Sequence, residues 1–361
     1  MASLRSRLSP MKVQVRGLLA RVAAFALALL LFTLALFLIR EGVAPIADDL
    51  HRVFHFDSPA SALGFGWLFA ELALSGSPVA AAALSLLDAG VIGPIQTFAM
   101  ISGSRLGAAF IVLLVGFIHL LRGRQRTLSL GAGLLSLLVT QSTYLFVLPL
   151  GLLALSRGTW TAEMTAAAAV PSLFELLLKP LVGAVEALIP AWSLPLLGIA
   201  LLLLSFRLFD RVVPELHLEQ SRVAGLNRLL YRPIVSFLLG SLLTTLTMSV
   251  SVSLGLLVPL SARGYVRQEN IIPYILGANI TTFDDTLIAA VVLGNPAGVS
   301  VVLVQMASVA LVSLAILLFA YRPYQRLLVR LATDIGASPV RLIIYLAAMF
   351  GLPIVLLIGG S

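Results

Sequence analysis

The chain has 361 residues, of which 60% are hydrophobic and only 11% charged, where a soluble globular domain carries roughly a quarter charged residues. Its mean hydropathy of +1.05 and its apolar runs, several longer than the roughly 18 residues that cross a bilayer core, exclude a soluble fold. They predict an all-α polytopic membrane protein, because the runs are long and lack the alternation of barrel strands. With no cysteine in the chain, disulfides, thiolate catalysis and thiolate metal sites are excluded. The net charge of +8 reads as a topology signal and not as a nucleic-acid footprint.

In chain order, residues 1–17 form a basic tail with Arg5, Arg7, Lys12 and Arg16, expected in the cytoplasm. The apolar run at 18–39 is too long for a signal-peptide core and has no convincing cleavage site, so it reads as a retained anchor. Further crossings are predicted at 95–121, 127–155, 192–209, 270–293, 297–321 and 339–358. Segments 60–89 and 233–262 are apolar but broken near their middles by Gly, Ser, Thr and Pro. The stretch 163–190 carries Glu163, Glu175, Lys179 and Glu186 with Pro171 and Pro180, which suits an interfacial element. Arginines cluster at Arg122, Arg124 and Arg126, at Arg211, Arg222, Arg228 and Arg232, and at Arg322, Arg326 and Arg330. All of them fall on the cytoplasmic side only if 60–89 and 233–262 each enter and leave on one face, as re-entrant hairpins, and 163–190 does not cross, with 40–58 and 294–296 periplasmic.

Laid over itself at an offset of 174 residues, the chain matches 72–116 with 246–290: Ser75 falls on Ser249, Ser77 on Ser251, Gly90 on Gly264 and Gly103 on Gly277. The helix before the first hairpin runs outward and its counterpart at 192–209 runs inward, so the two halves are predicted to be inverted. Inverted repeats with interrupted segments are the architecture of secondary transporters, whose sites lie between the repeats. The expected division is a tail at 1–17, repeat 1 at 18–122, a connecting helix and interfacial element at 123–196, repeat 2 at 197–321, and a basic loop with a last transmembrane helix at 322–361.

At "GSLLTTLTMSVS" and "GANITT" the sequence resembles the sodium–phosphate cotransporter family, the type II proteins and their bacterial relatives, with Gly240, Thr245, Ser249, Ser251, Gly277, Asn279 and Thr282 on motif positions. The resemblance covers about 25–122 and 197–310. It departs at both motif glutamines, here Leu74 and Met248, at both middle serines, here Gly76 and Val250, and at the first-repeat asparagine, here Arg105. It implies two inverted repeats, each a re-entrant helical hairpin followed by an interrupted transmembrane helix. It also implies sodium-coupled symport of phosphate or another small anion by alternating access, in a bacterial-type inner membrane. Ser75, Ser77, Arg105, Ser249, Ser251, Asn279 and Thr282 are the expected substrate ligands, and Asp284, Asp285 and Thr281 the expected cation-coupling groups.

Arg105 suits an anion because its guanidinium forks onto phosphate or carboxylate; the alternative is a buried ion pair with Asp284 or Asp285. Adjacent helix positions point about 100° apart, so one of the two aspartates should face the site, and the spacing puts Asp284 on the face of the threonines. The histidines (His51, His55, His119 and His217) lack the spacing of a metal site, and no Ser–His–acid, phosphate-loop or zinc-protease motif is present. Neither an enzyme nor a bound cofactor is expected, apart from sodium or a proton as coupling ion. The expected partners are a phosphate-like solute, the bilayer and a second copy in a homodimer, with no nucleic acid. Two other readings stay open: a transport-inactive regulatory or scaffold subunit, and a lipid-modifying enzyme using Asp284 and Asp285.

Overall fold

A computed structural model describes residues 2–56, 58–121, 126–158, 169–212, 232–248, 253–254 and 268–360. Among them the secondary structure is helical, without strands. Seven helical stretches are long and apolar enough to cross a membrane, the number and places expected from the sequence.

The first helix, α1 (Ala2–Val43), includes the basic N-terminal stretch. At 1.5 Å per residue it is about 63 Å long, roughly twice a bilayer core. It is followed by α2 (Ala47–Phe54), α3 (Pro59–Ala73), α4 (Ser77–Asp88), α5 (Pro94–Ala108), α6 (Phe110–Leu121) and α7 (Arg126–Ser156). Then come α8 (Ala169–Glu186), α9 (Leu194–Val212), α10 (Pro233–Thr247), α11 (Gln268–Thr281) and α12 (Asp284–Leu293). The last three are α13 (Pro296–Ala315), α14 (Tyr321–Ala337) and α15 (Pro339–Gly359). Prolines open α3, α5, α10, α13 and α15, where the missing N–H costs nothing and the fixed φ favours the first turn. Ser58 caps α3 by accepting from the Ala60 amide at 3.1 Å, and Asn295 caps α13 by accepting from the Gly298 amide at 3.1 Å.

Local geometry recurs at the 174-residue offset. Pro59–Ala73 and Pro233–Thr247 start and stop in register. Each is ended by a non-glycine residue in the left-handed region, Leu74 at φ 52° and Met248 at φ 50°, a conformation that costs roughly 1–2 kcal/mol. These are the positions of the absent motif glutamines. In each half a later helix packs tightly on this one through glycine, α5 on α3 and α11 on α10. A Cβ on Gly66 would strike the Met100 carbonyl and one on Gly103 the Leu63 carbonyl, just as Gly240 meets Tyr274 and Gly277 meets Phe237. Small residues let membrane helices approach backbone to backbone.

The chain runs down α3, back along α4 and down again along α5, because Gly76 lies on Ser104 and Ala108 while Gly107 lies on Trp67 and Ala70. The exit of this hairpin returns to the helices that precede its entrance: Asp88 meets Arg40 of α1 at 3.1 Å and the Val91 carbonyl meets His51 of α2 at 2.7 Å. Asn295 donates to Asp88 at 2.9 Å, so α12 ends where α5 begins, and the two run in opposite senses. α1 and α9 are also antiparallel: Gly42 lies on Leu194, Gly198 on Ile39, and Phe32 on Phe206 at 5.6 Å between ring centroids.

One boundary differs from expectation. The basic stretch expected as a loop from 322 is helical, joined to α13 through a π segment, Ile316–Ala320. Leu328 and Ala332, one turn apart, are buried, and Tyr324 meets Ser142 of α7 at 2.8 Å. This apolar stripe gives the segment a helical face to bury, while Arg322, Arg326 and Arg330 stay exposed.

Candidate functional site

Arg105 lies on α5 between Gly103 and Gly107, at the close approach to α3, and is 6% exposed. Its Nη1 donates to Thr282 Oγ1 at 3.0 Å and, at the long limit of 3.5 Å, to Ser77 Oγ at the start of α4. Its Nη2 donates to Thr286 Oγ1 at 2.8 Å and stands 3.7 Å from Asp285 Oδ1. Thr286 in turn donates to Asp285 Oδ1 at 2.9 Å, so one hydroxyl bridges the cation and the carboxylate. Cζ lies 4.6 Å from the centroid of the Phe283 ring, within range of a cation–π contact. Among the described residues Arg105 Nε and Asp285 Oδ2 are buried and have no hydrogen-bond partner.

The interruption of the second-half helix creates this geometry. α11 stops at Thr281 and α12 restarts at Asp284. Thr282, Asp285 and Thr286 thereby face Arg105, while the two acids occupy the first turn of α12, where a helix N-terminus favours negative charge. In the first half, α5 and α6 meet at Ala109, which falls 174 residues before Phe283. Asp285 also lines a cavity of about 70 Å³ with Phe25, Phe32, Phe206, Phe209 and Met248.

Of the expected site residues, the structure brings Arg105, Ser77, Thr282 and Asp285 together. Asp284 and Thr281 point instead to α10: Thr245 donates to Asp284 Oδ2 at 2.8 Å and Thr281 donates to the Ser241 carbonyl at 2.8 Å. Asp284 thus shares a face with Thr281, as its spacing implied, whereas Thr282 lies on the face of Asp285. Asn279 turns to a third side, donating to Thr140 Oγ1 of α7 at 3.3 Å. Ser75 is half-buried at the turn with its amide on the Ala70 carbonyl at 3.1 Å, and its side chain makes no hydrogen bond to Arg105. Ser249 and Ser251 lie outside the described residues. Sequence reasoning missed Thr286 and Phe283. The spacing of Thr282 and Thr286, one helical turn apart, was the available signal for the first.

Seven membrane-length apolar helices among the described residues define a multi-pass helical membrane protein. No family model, no curated protein and no solved structure matches the chain.

Proposed function

We propose that this protein is a secondary active transporter that moves phosphate or another small anion together with a cation, sodium or a proton, by alternating access. The observation that carries the reading is Arg105, a buried guanidinium held between hydroxyls of two parts of the chain, Ser77 from the first hairpin and Thr282 and Thr286 from the interrupted second-half helix. A guanidinium ringed by hydroxyls replaces the water shell of an oxyanion with charge-assisted hydrogen bonds. The nearest carboxylate oxygen stands at 3.7 Å, so an incoming anion competes for the two Nη atoms with neutral hydroxyls and a loosely held carboxylate.

Inverted halves are supported by the opposite senses of α5 and α12 and of α1 and α9, and by the recurrent glycine contacts. Re-entrance of the first hairpin is supported by its exit, Asp88 and Val91, lying against Arg40 at the end of α1 and His51 of α2, the helix that leads into its entrance. In this reading the bilayer is a bacterial-type inner membrane with the arginine clusters inside. The anion enters between the halves, displaces Asp285 from Arg105, and frees that carboxylate toward its adjoining cavity. Rocking of the hairpins then opens the opposite side.

A second reading, a transport-inactive regulatory or scaffold subunit of the same fold, is favoured by the internal satisfaction of Arg105 and by Leu74 and Met248 at the glutamine positions. The lipid-enzyme reading loses support because Asp284 and Asp285 face different helices. The deciding experiment is uptake of radiolabelled phosphate into proteoliposomes with an imposed sodium or proton gradient. Gradient-dependent uptake lost in Arg105→Gln supports transport; no uptake under either gradient supports the inactive subunit.

A further inference from the structure

Glu71 lies on α3, one turn before the left-handed residue Leu74 that reverses the first hairpin. It is 2% exposed, Oε1 accepts from the Trp67 indole N–H at 2.7 Å, and Oε2 is buried without a partner. Among the described residues it enters no ion pair. Gly107, two residues past Arg105, packs on its backbone: a Cβ there would come within 2.9 Å of the Glu71 amide nitrogen.

The charged and titratable groups on the helices packed against α3 are spoken for elsewhere or distant. On α5, Arg105 faces Thr282, Thr286 and Asp285. On α4, Asp88 sits at the far end with Arg40 and Asn295. On α2, Asp48, Asp49, His51 and Arg52 precede the start of α3, at the end away from the turn. On α15, Tyr345 donates its hydroxyl to Gln141 at 2.8 Å, and Arg341 reaches back to the Asp334 carbonyl.

We propose that Glu71 is a proton-binding site that couples proton movement to the first hairpin. The inference rests on the transporter reading for its coupling role. An ionised carboxylate here would keep one indole bond and no compensating cation, and an uncompensated buried charge costs several kcal/mol. With a proton on Oε2 the charge is removed and the end of α3 stays packed on α5. When the Oε2–H bond breaks and the proton leaves to water, the carboxylate must be hydrated, which requires this end of the hairpin to move. The same turn carries Ser77 against Arg105, so proton occupancy and the anion site act on one element. A proton taken up from one aqueous face and released to the other balances each cycle.

Trp67 supplies a readout that does not need transport. The chain has three tryptophans, so Trp160→Phe with Trp192→Phe leaves Trp67 as the reporter of its own hydrogen bond to Glu71. Its emission in the purified full chain should show a reversible step with pH. Glu71→Gln, which keeps the volume and the indole bond but has no proton to lose, should abolish the step, and Asp88→Asn should leave it unchanged. Absence of a step, or a step that survives Glu71→Gln, overturns the proton site. In proteoliposomes with inorganic phosphate, Glu71→Gln should lose accumulation driven by a pH gradient but keep exchange of internal for external phosphate. Unaltered accumulation in Glu71→Gln overturns the coupling role. A Glu71-dependent step without any phosphate movement leaves the proton site standing and overturns the transporter reading instead.

Discussion

Arg105 and Asp285 set up a double-mutant cycle whose magnitudes follow from the contacts. Arg105→Gln removes two short hydrogen bonds, to Thr282 and Thr286, and the contact with Phe283. It also leaves Asp285, 4% exposed, with the Thr286 hydroxyl as its remaining side-chain partner. Stranding a buried charge in this way costs roughly 3–5 kcal/mol. Asp285→Asn leaves Arg105 its two threonines and the ring, so the loss should be smaller, about 1–3 kcal/mol. The double variant carries neither charge and should be more stable than the sum of the single losses predicts, with a coupling of about 2 kcal/mol, inside the range for interacting pairs. The assay is thermal unfolding of the purified protein in detergent, repeated with inorganic phosphate. A ligand at about 100 times its Kd protects by roughly 2.7 kcal/mol. Phosphate should protect the wild type and Asp285→Asn but not Arg105→Gln. Losses that add within about 0.5 kcal/mol would refute the pairing, and equal phosphate protection of Arg105→Gln would refute anion binding at this residue.

The close helix approaches predict that Gly103→Ala and Gly240→Ala each destabilise by about 1–3 kcal/mol through overpacking, because the added carbon strikes a carbonyl. Gly351→Ala, where nothing lies within 4 Å, should be neutral or stabilise by up to about 1 kcal/mol; equal melting of the three variants would refute the packing argument. Asn295→Ala removes both the cap of α13 and the bond to Asp88 and should cost about 1–2 kcal/mol, read in the same melts. Asn295→Asp keeps the cap but sets a second carboxylate beside Asp88, so it should not restore wild-type stability. In the cysteine-free chain, Ala297→Cys should react with an impermeant thiol reagent from the periplasmic side and Thr333→Cys only after permeabilisation. The reverse pattern would refute the orientation assigned from the arginines.

The seven membrane-length helices found among the described residues, their approximate limits and the break within 60–89 were legible in the sequence. Apolar run length and Pro, Gly and Ser placement are local properties, and a bilayer leaves backbone groups no choice but to bond within their own segment. The matched glycines were legible as spacing, but not their purpose. That Gly103 and Gly277 seat the Leu63 and Phe237 carbonyls is a fact of two helices in contact. Helicity of the arginine-bearing segment after residue 321 was masked by its charge, and was decided by the apolar stripe through Leu328 and Ala332 that packing made visible.

The sequence by itself determined that Arg105, Asp284 and Asp285 would sit in apolar surroundings and that adjacent acids would diverge, because one helical step turns a side chain by about 100°. It did not determine which acid meets the arginine. That choice depends on the turn at Thr282–Phe283, which orients α12 so that Asp285 and Thr286 reach α5 while Asp284 reaches Thr245 of α10. Glu71 stands in the apolar run 60–89, and nothing in that run says that α5 packs against it. Whether a buried carboxylate has a cation beside it is a property of the neighbouring helices, and only the tertiary structure lists those neighbours.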